Sequence, residues 1–468
     1  MPTEWIARRD RSRPGLAYTP NVHHEQTIFS RMTQQLQDAS KPASQPTTGM
    51  TSGMAEVWRD CRLRDPIGHY VHTAFALCYV LLLPVATAPK DIAWAALVVT
   101  TVARLPRIHR CFKAPCRDRL IWLLLAWAAW HGISILWSAD RAAGLDEWGA
   151  FRVVLTPLLL WPVLNHAALL IGAFLVGVVG ANLVQLTQQF HWLGQNPGFN
   201  GRLEGWLHPV HTGAICGAAL CWHLSAVLKC RGWLRWLSLI GAAAAVAGLI
   251  GAGSRGPWLA TAATVPLGLL VIGFTTRRLR RAVLLIALVG VVAAGITWVA
   301  SGDFVTARIQ QATDDIRNAI DGDYHTDVGE RIARWAGAWK VFVDSPLRGA
   351  GAGGLGHAIG DLGLGDVSPH QYHAHSVYMH VLACTGLPGV LILGSVVVMS
   401  VRRVTKCRRQ HVYSIGTILV LSTWLIGALF DAYHLNGNMF GLFTVIVALT
   451  LPYRSHDNSP NKPQLSTT

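Results

Sequence analysis

The chain has 468 residues, of which 51% are hydrophobic and only 14% charged, with a mean hydropathy of +0.34. Soluble domains carry about 25% charged residues, so an ordinary soluble protein is excluded. The formal charge of +15 does not signal nucleic-acid binding, because the basic residues fall in short clusters between apolar runs, the pattern of membrane topology signals.

Residues 1–65 are polar, with Arg8, Arg9, Arg11 and Arg13 early and a Ser/Thr/Gln/Pro-rich stretch from 33 to 52. No apolar segment follows those arginines, so they do not open a cleavable signal peptide. The segment reads as a disordered cytoplasmic tail, with Met50 and Met54 as alternative starts.

Crossing the hydrocarbon takes about 20 apolar residues. Candidate spans run over 67–86, 91–105, 120–137, 148–164, 167–187, 208–228, 234–253, 257–274 and 282–300, then 375–401, 412–430 and 438–451. The fold class expected is therefore an all-α integral membrane protein of about twelve transmembrane helices. Spans one to nine occupy residues 66–300 and spans ten to twelve residues 375–452, with a polar tail at 453–468. Abundant Gly (45) and Trp (19) fit close helix packing and interfacial rings.

Orientation follows from Lys and Arg beside the spans. Basic clusters lie at Arg104/Arg107/Arg110/Lys113/Arg117/Arg119, Lys229/Arg231/Arg235, Arg277/Arg278/Arg280/Arg281 and Arg402/Arg403/Lys406/Arg408/Arg409. All fall after even-numbered spans, so both termini are placed in the cytoplasm. One long loop, 301–374, lies on the opposite face. Within it Val328, Ile332, Trp335, Trp339 and Phe342 recur at helical spacing, predicting an amphipathic helix over 328–343 that lies on the membrane or caps a cavity. Asp344-Ser345-Pro346 ends it, and Gly349, Gly351, Gly353, Gly354 and Gly356 suggest a flexible turn.

Of nine cysteines, this topology puts Cys61, Cys111, Cys116, Cys230 and Cys407 in the cytoplasm and Cys78, Cys216, Cys221 and Cys384 inside spans. None sits in an outer loop, so no disulfide framework is implied. Cys111 and Cys116 resemble half a metal site but lack partner ligands.

Chemistry-bearing residues gather on the non-cytoplasmic face. Arg202 precedes span six, Gly253-Ser254-Arg255-Gly256 ends span seven, Arg331 and Arg334 lie in the long loop, and His373-Ala374-His375-Ser376 opens span ten. Guanidiniums at a cavity mouth match phosphate oxygens bidentately, so Arg202, Arg255 and Arg331 could clamp a diphosphate. The bland alternative is that each snorkels to headgroups. His370, His373, His375 and His380 offer a metal site, a general base near neutral pH or a polar cap. Metal is disfavoured, because no carboxylate or thiol joins them at helical spacing. Asp321-Gly322-Asp323 reads as solvated surface.

These motifs carry a resemblance. His375-Ser376, nine residues, then Gly386-Leu387-Pro388-Gly389 resembles the signature of bacterial O-antigen ligases, with Val390 where that family usually has Thr. Gly253-Ser254-Arg255-Gly256 is similar to its Ser-Arg-Gly element. Arg202-x-x-Gly205-x-x-x-Pro209 resembles its Arg-x-x-Gly…Pro-Asn element, with Val210 replacing Asn. Arg331, Trp335, Pro346, Gly349 and Gly351 resemble the stretch leading to the catalytic histidine. The motifs extend from Ala167 to Gly389.

The resemblance implies an inverting, metal-independent GT-C-type glycosyltransferase needing no cofactor. It would move a polysaccharide from undecaprenyl diphosphate to a hydroxyl of lipid A–core, on the periplasmic face of a Gram-negative inner membrane. His375 would be the general base, with His373, Ser254 and Ser376 in support. Arg202 and Arg255, with Arg331 or Arg334, would bind the diphosphate. The nearest alternatives are an O-antigen polymerase or a protein O-oligosaccharyltransferase of the same superfamily. A polysaccharide or lipid transporter is a weaker reading, because neither a central cytoplasmic loop nor sequence halves appear.

Overall fold

The computed structural model describes residues 52–192, 202–275, 280–361, 373–406 and 414–453. The N-terminal tail to residue 51, His370, Arg277, Arg278, Arg408, Arg409 and the C-terminal tail lie outside them. The described residues form helices and connecting turns, with no strand among them, and belong to one unit, Gly49–Thr468.

The helices are α1 (Ser52–Arg64), α2 (Pro66–Leu82), α3 (Thr87–Ile108), α4 (Arg119–Ser134), α5 (Arg141–Ala150), α6 (Ala167–Gln189), α7 (Pro209–Lys229) and α8 (Trp233–Gly251). They continue as α9 (Arg255–Thr275), α10 (Arg280–Ile320), α11 (Gly329–Asp344), α12 (Leu355–Gly360), α13 (Val377–Lys406), α14 (Ser414–Gly427) and α15 (Gly437–Thr450). Local chemistry sets several starts. The Asp65, Asp118 and Asp140 side chains accept from the first-turn N–H groups of α2, α4 and α5, and Asn436 does so for α15. Such caps satisfy donors that an α-helix leaves unpaired.

Among the described residues, six segments are long and apolar enough to cross a membrane: Arg119–Trp137, Arg141–Gln189, Pro209–Lys229, Trp233–Gly251, Arg255–Phe274 and Val377–Thr405. Three shorter apolar helices, α2, α14 and α15, accompany them. The chain is thus an all-helical protein with multiple membrane-length helices. The stretch expected as a fourth span is not one regular helix. Between α5 and α6 it alternates 3-10 turns at Phe151–Leu155 and Trp161–His166 with a short helix at Thr156–Leu160. Pro157 and Pro162 sit at the starts of the later pieces, where a missing N–H is harmless, but they interrupt the ladder behind them.

The stretch expected to leave the ninth span as a loop instead stays helical to Ile320 in the 41-residue α10. At 1.5 Å per residue such a helix is about 60 Å long, roughly twice the hydrocarbon thickness. The segment expected as a disordered tail ends in α1. Cys61 of α1 lies against Cys111, just beyond α3, with Cα atoms 6.5 Å apart. The two meet where α1 packs back against the end of α3.

The core is built around α7, which packs on α6, α8, α9 and α14. Nearly every α7 side chain is buried, and its small residues permit close approach. A Cβ at Gly213 would stand 3.2 Å from Pro257, and one at Gly217 2.5 Å from Thr261. Helix α13 packs on α4 and α11 and breaks its helical geometry at Gly386, with φ of 62°.

The glycine-rich segment after α11 is not a free turn. Ala350 and Gly351 N–H donate to the Ala383 and Cys384 carbonyls at 2.8 and 2.9 Å, and Ala352 N–H donates to Ser134 Oγ at 3.0 Å. Gly351 has φ of 82°, and a Cβ there would lie 2.6 Å from the Ser134 carbonyl oxygen. Glycine is needed for both conformation and space.

Candidate functional site

Arg202 and Arg255 are brought together by polar groups at the ends of α6 and α8. Gln185 Nε2 donates to the Leu203 carbonyl at 2.9 Å, while the Gln188 amide exchanges two 3.1 Å hydrogen bonds with Gly205. Leu203 N–H also donates to Gly251 O at 3.0 Å. The turn through Gly253, at φ of 59°, then starts α9 at Arg255. Gln185 and Gln188 had no place in the sequence analysis, although two glutamines closing an apolar span were the available signal.

These arginines line a cavity of about 370 Å³ together with Arg308 of α10 and Arg331 of α11. Arg255 pairs with Asp315 at 2.7 Å and Arg202 with Asp327 at 3.4 Å. Arg331 makes no ion pair or side-chain hydrogen bond among the described residues. Burial lowers its hold on its proton, as do Arg255 and Arg202, against the opposing pull of Asp431 and Asp327. A guanidinium stays charged nonetheless, so the cavity presents four cations of which two face a carboxylate at ion-pair distance. Leu259, Ile316, Ile332, Trp335 and Phe430 supply an apolar wall. The arrangement suits an anionic head attached to a hydrocarbon.

Helix α11 contributes through the side not expected to pack. Gly337, Ala338 and Val341 are buried, whereas Trp339 and Val343 are exposed. Small residues let α11 lie close on α13, and the large stripe turns outward, with Ile332 and Trp335 at the cavity. Arg334 pairs with Glu330 at 3.0 Å and does not line the cavity. Ser254 does line it, and its hydroxyl donates to Ala252 O.

His375 lies in a second cluster. Its backbone has φ of 45°, a strained value for a residue with a side chain. His375 Nδ1 stands 3.5 Å from Asp431, whose other oxygen lies 3.3 Å from His211 Nε2. His211 Nδ1 lies 3.2 Å from the Asn436 amide nitrogen. Burial alone would raise the Asp431 carboxyl, but contacts with His211 and His375 more than reverse this and hold it well below the usual carboxylate range. The His373 and His375 rings are 4.2 Å apart, and His375 N–H donates to His373 Nδ1 at 3.3 Å. Burial, and then His375, push His373 down to about 3. Ser376 is buried, and its Oγ accepts from Met379 N–H at the start of α13.

Asp431 was missed in the sequence, although it is the only acidic residue between Asp366 and Asp457. The two clusters share a wall, because Phe430 and Tyr433 line the arginine cavity while Asp431 faces His375. A buried carboxylate that orients an imidazole suits proton transfer. His373, His375 and Asp431 also present ligand atoms within 4.8 Å of one another, close enough to hold a cation.

Of the four histidines expected as one group, His370 lies outside the described residues and the other three are divided. His380 faces Glu147 at 3.4 Å, and Cys384 Sγ lies 3.5 Å from His380 Nε2. This corrects the expectation that no thiol or carboxylate joins them, since Cys384 follows His380 by one helical turn. Asp321 and Asp323 are exposed.

Residues 240–394, about a third of the chain, match the family model described as O-antigen ligase. The match supports the O-antigen ligase and polymerase superfamily and bears out the resemblance carried by the motifs. It spans Ser254, Arg255, Arg331, Arg334, His373, His375 and Ser376, and leaves Arg202, His211 and Asp431 outside. No curated protein matches the chain.

Proposed function

We propose that this O-antigen ligase-like chain is an inverting, metal-independent glycosyltransferase of about twelve spans and GT-C type. It transfers a polysaccharide from undecaprenyl diphosphate to a hydroxyl of lipid A–core at the periplasmic face of a bacterial inner membrane. The observation that carries the reading is the arginine-lined cavity sharing its Phe430–Tyr433 wall with the His375–Asp431 pair.

In this reaction the acceptor hydroxyl attacks the anomeric carbon from the face opposite the diphosphate. His375 takes the hydroxyl proton as the new C–O bond forms, a contribution of about 10²–10⁴-fold for a placed base. The old C–O bond breaks, and its electron pair leaves on the lipid diphosphate. Negative charge grows on that group, and Arg202, Arg255 and Arg331 stabilise it most in the transition state. Asp431 holds the imidazole and offsets the positive charge it acquires. The apolar side of the cavity receives the first isoprene units.

The test is a His375→Ala strain with the variant inserted at normal levels. It should accumulate undecaprenyl-linked polymer of ordinary length and leave the core uncapped. Shortened polymer would indicate a polymerase, and loss of a protein-linked glycan a protein-directed enzyme. Undiminished capping would refute the assignment of His375.

A further inference from the structure

A second polar cluster, built from Glu147, His131, His380 and Cys384, takes no part in the proposed transfer and does not line the arginine cavity. His131 comes from α4, Glu147 from α5, and His380 and Cys384 from one face of α13 at a spacing of four. His131, His380 and Cys384 are all fully buried, and the Glu147 side chain is 13% exposed. We infer that Glu147, His380 and Cys384 bind a first-row transition metal of the zinc type, with His131 beside Glu147, and that the ion pins α5 to α13.

Geometry carries the inference. Glu147 Oε2 lies 3.4 Å from His131 Nε2 and 3.4 Å from His380 Nε2, and Cys384 Sγ is 3.5 Å from His380 Nε2. The donor atoms of Glu147, His380 and Cys384 all fall within 4.8 Å of one another. Bond lengths of about 2.0–2.1 Å to nitrogen or oxygen and about 2.3 Å to sulfur give tetrahedral edges of about 3.4 and 3.6 Å. The Glu147–His380 and His380–Cys384 separations match those edges.

Chemistry agrees with the spacing. Imidazole, carboxylate and thiolate are the donor set of zinc sites. One carboxylate and one thiolate neutralise a dication, which matters in an enclosed, apolar setting. The Nε2 atoms of both His131 and His380 face Glu147, while their Nδ1 atoms are buried with no hydrogen-bond partner among the described residues. Two neighbours hold the cluster in place. Gly353 N–H donates to Glu147 Oε2 at 3.1 Å, and the His131 ring stacks on Phe151 with centroids 4.4 Å apart. Because Gly353 belongs to the segment pinned under α11, a metal here would also stiffen the chain that leads toward His375.

The test uses full-length protein purified in detergent with chelator in every buffer, so that only enclosed metal is counted. Elemental analysis should find one zinc-type ion per chain. Protein from cells grown with Co²⁺ in zinc-depleted medium should show the thiolate-to-cobalt charge-transfer band and intense tetrahedral ligand-field bands. Cys384→Ser should abolish the charge-transfer band, and Glu147→Gln should lower metal affinity by more than about 100-fold, beyond the effect of losing a group that only supports a ligand. His375→Ala should retain metal and spectrum, which separates this site from the His373/His375/Asp431 cluster. Metal-free folded wild type, an unchanged band in Cys384→Ser, or loss of metal in His375→Ala would each overturn the inference.

Discussion

Replacing Asp431 with Asn keeps the shape of the residue that holds His375 and removes its charge. At the observed 3.5 Å, an ion pair is worth about 5 kcal/mol at an effective dielectric constant of about 20. The His375 side chain is 26% exposed, so solvent screening reduces this to about 2–3 kcal/mol. That energy is available only once His375 has accepted a proton, so it appears in the chemical step. The expected loss is about 30- to 160-fold in kcat with KM nearly unchanged. The assay is in vitro transfer with purified donor and acceptor, read under single-turnover conditions. His211→Ala, which removes the other partner of Asp431, should cost less. A loss under threefold, or one confined to KM, would refute the argument.

The two loop arginines should behave differently. Arg331→Ala removes a cavity cation without a carboxylate partner and should cost about 10²–10³-fold in transfer, whereas Arg334→Ala should cost less than about threefold, consistent with exposed ion pairs. Both are read by the same transfer assay after confirming normal insertion. Gly351→Ala should destabilise the fold by at least about 2 kcal/mol, since L-residues resist positive φ and the added Cβ overlaps the Ser134 carbonyl; a thermal melt in detergent measures it. His373 is held down to about 3 against 6.5 unfolded, so between these values the unfolded chain binds the extra proton. Its contribution to stability is present above about pH 6.5 and is lost as pH falls toward 3. Melting temperatures across pH 7.5 to 4.5 should fall less steeply in His373→Gln than in wild type.

The helical architecture was largely legible because hydrocarbon imposes a length on every crossing segment. Helices α7, α8 and α9 begin and end within two residues of the expected spans 208–228, 234–253 and 257–274. Failures arose where length and hydropathy do not govern. Pro157 and Pro162 broke the fourth span into short pieces, and the polar half of α10 remained helical because a helix need not stop where its side chains become polar. The α11 stripe was found by its periodicity, but periodicity does not say which side packs. Small residues did, because a Cβ at Gly337 would stand 2.8 Å from Ile359 of α12 and Ala338 is fully buried.

Composition, the spacing of apolar runs and the order of the arginine and histidine motifs sufficed for an all-helical architecture with membrane-length helices and for the family resemblance. Each is a local, one-dimensional property. Partnership is not local. His375 and Asp431 are 56 positions apart, and only the packing of α13 beside α14 sets one against the other. The same packing leaves Arg331 on the cavity and Arg334 off it, and it sends His380 to Glu147 instead of to His375. Side chains one helical turn apart share a face, but which neighbour that face meets depends on how the helices pack, and the tertiary structure alone decides that.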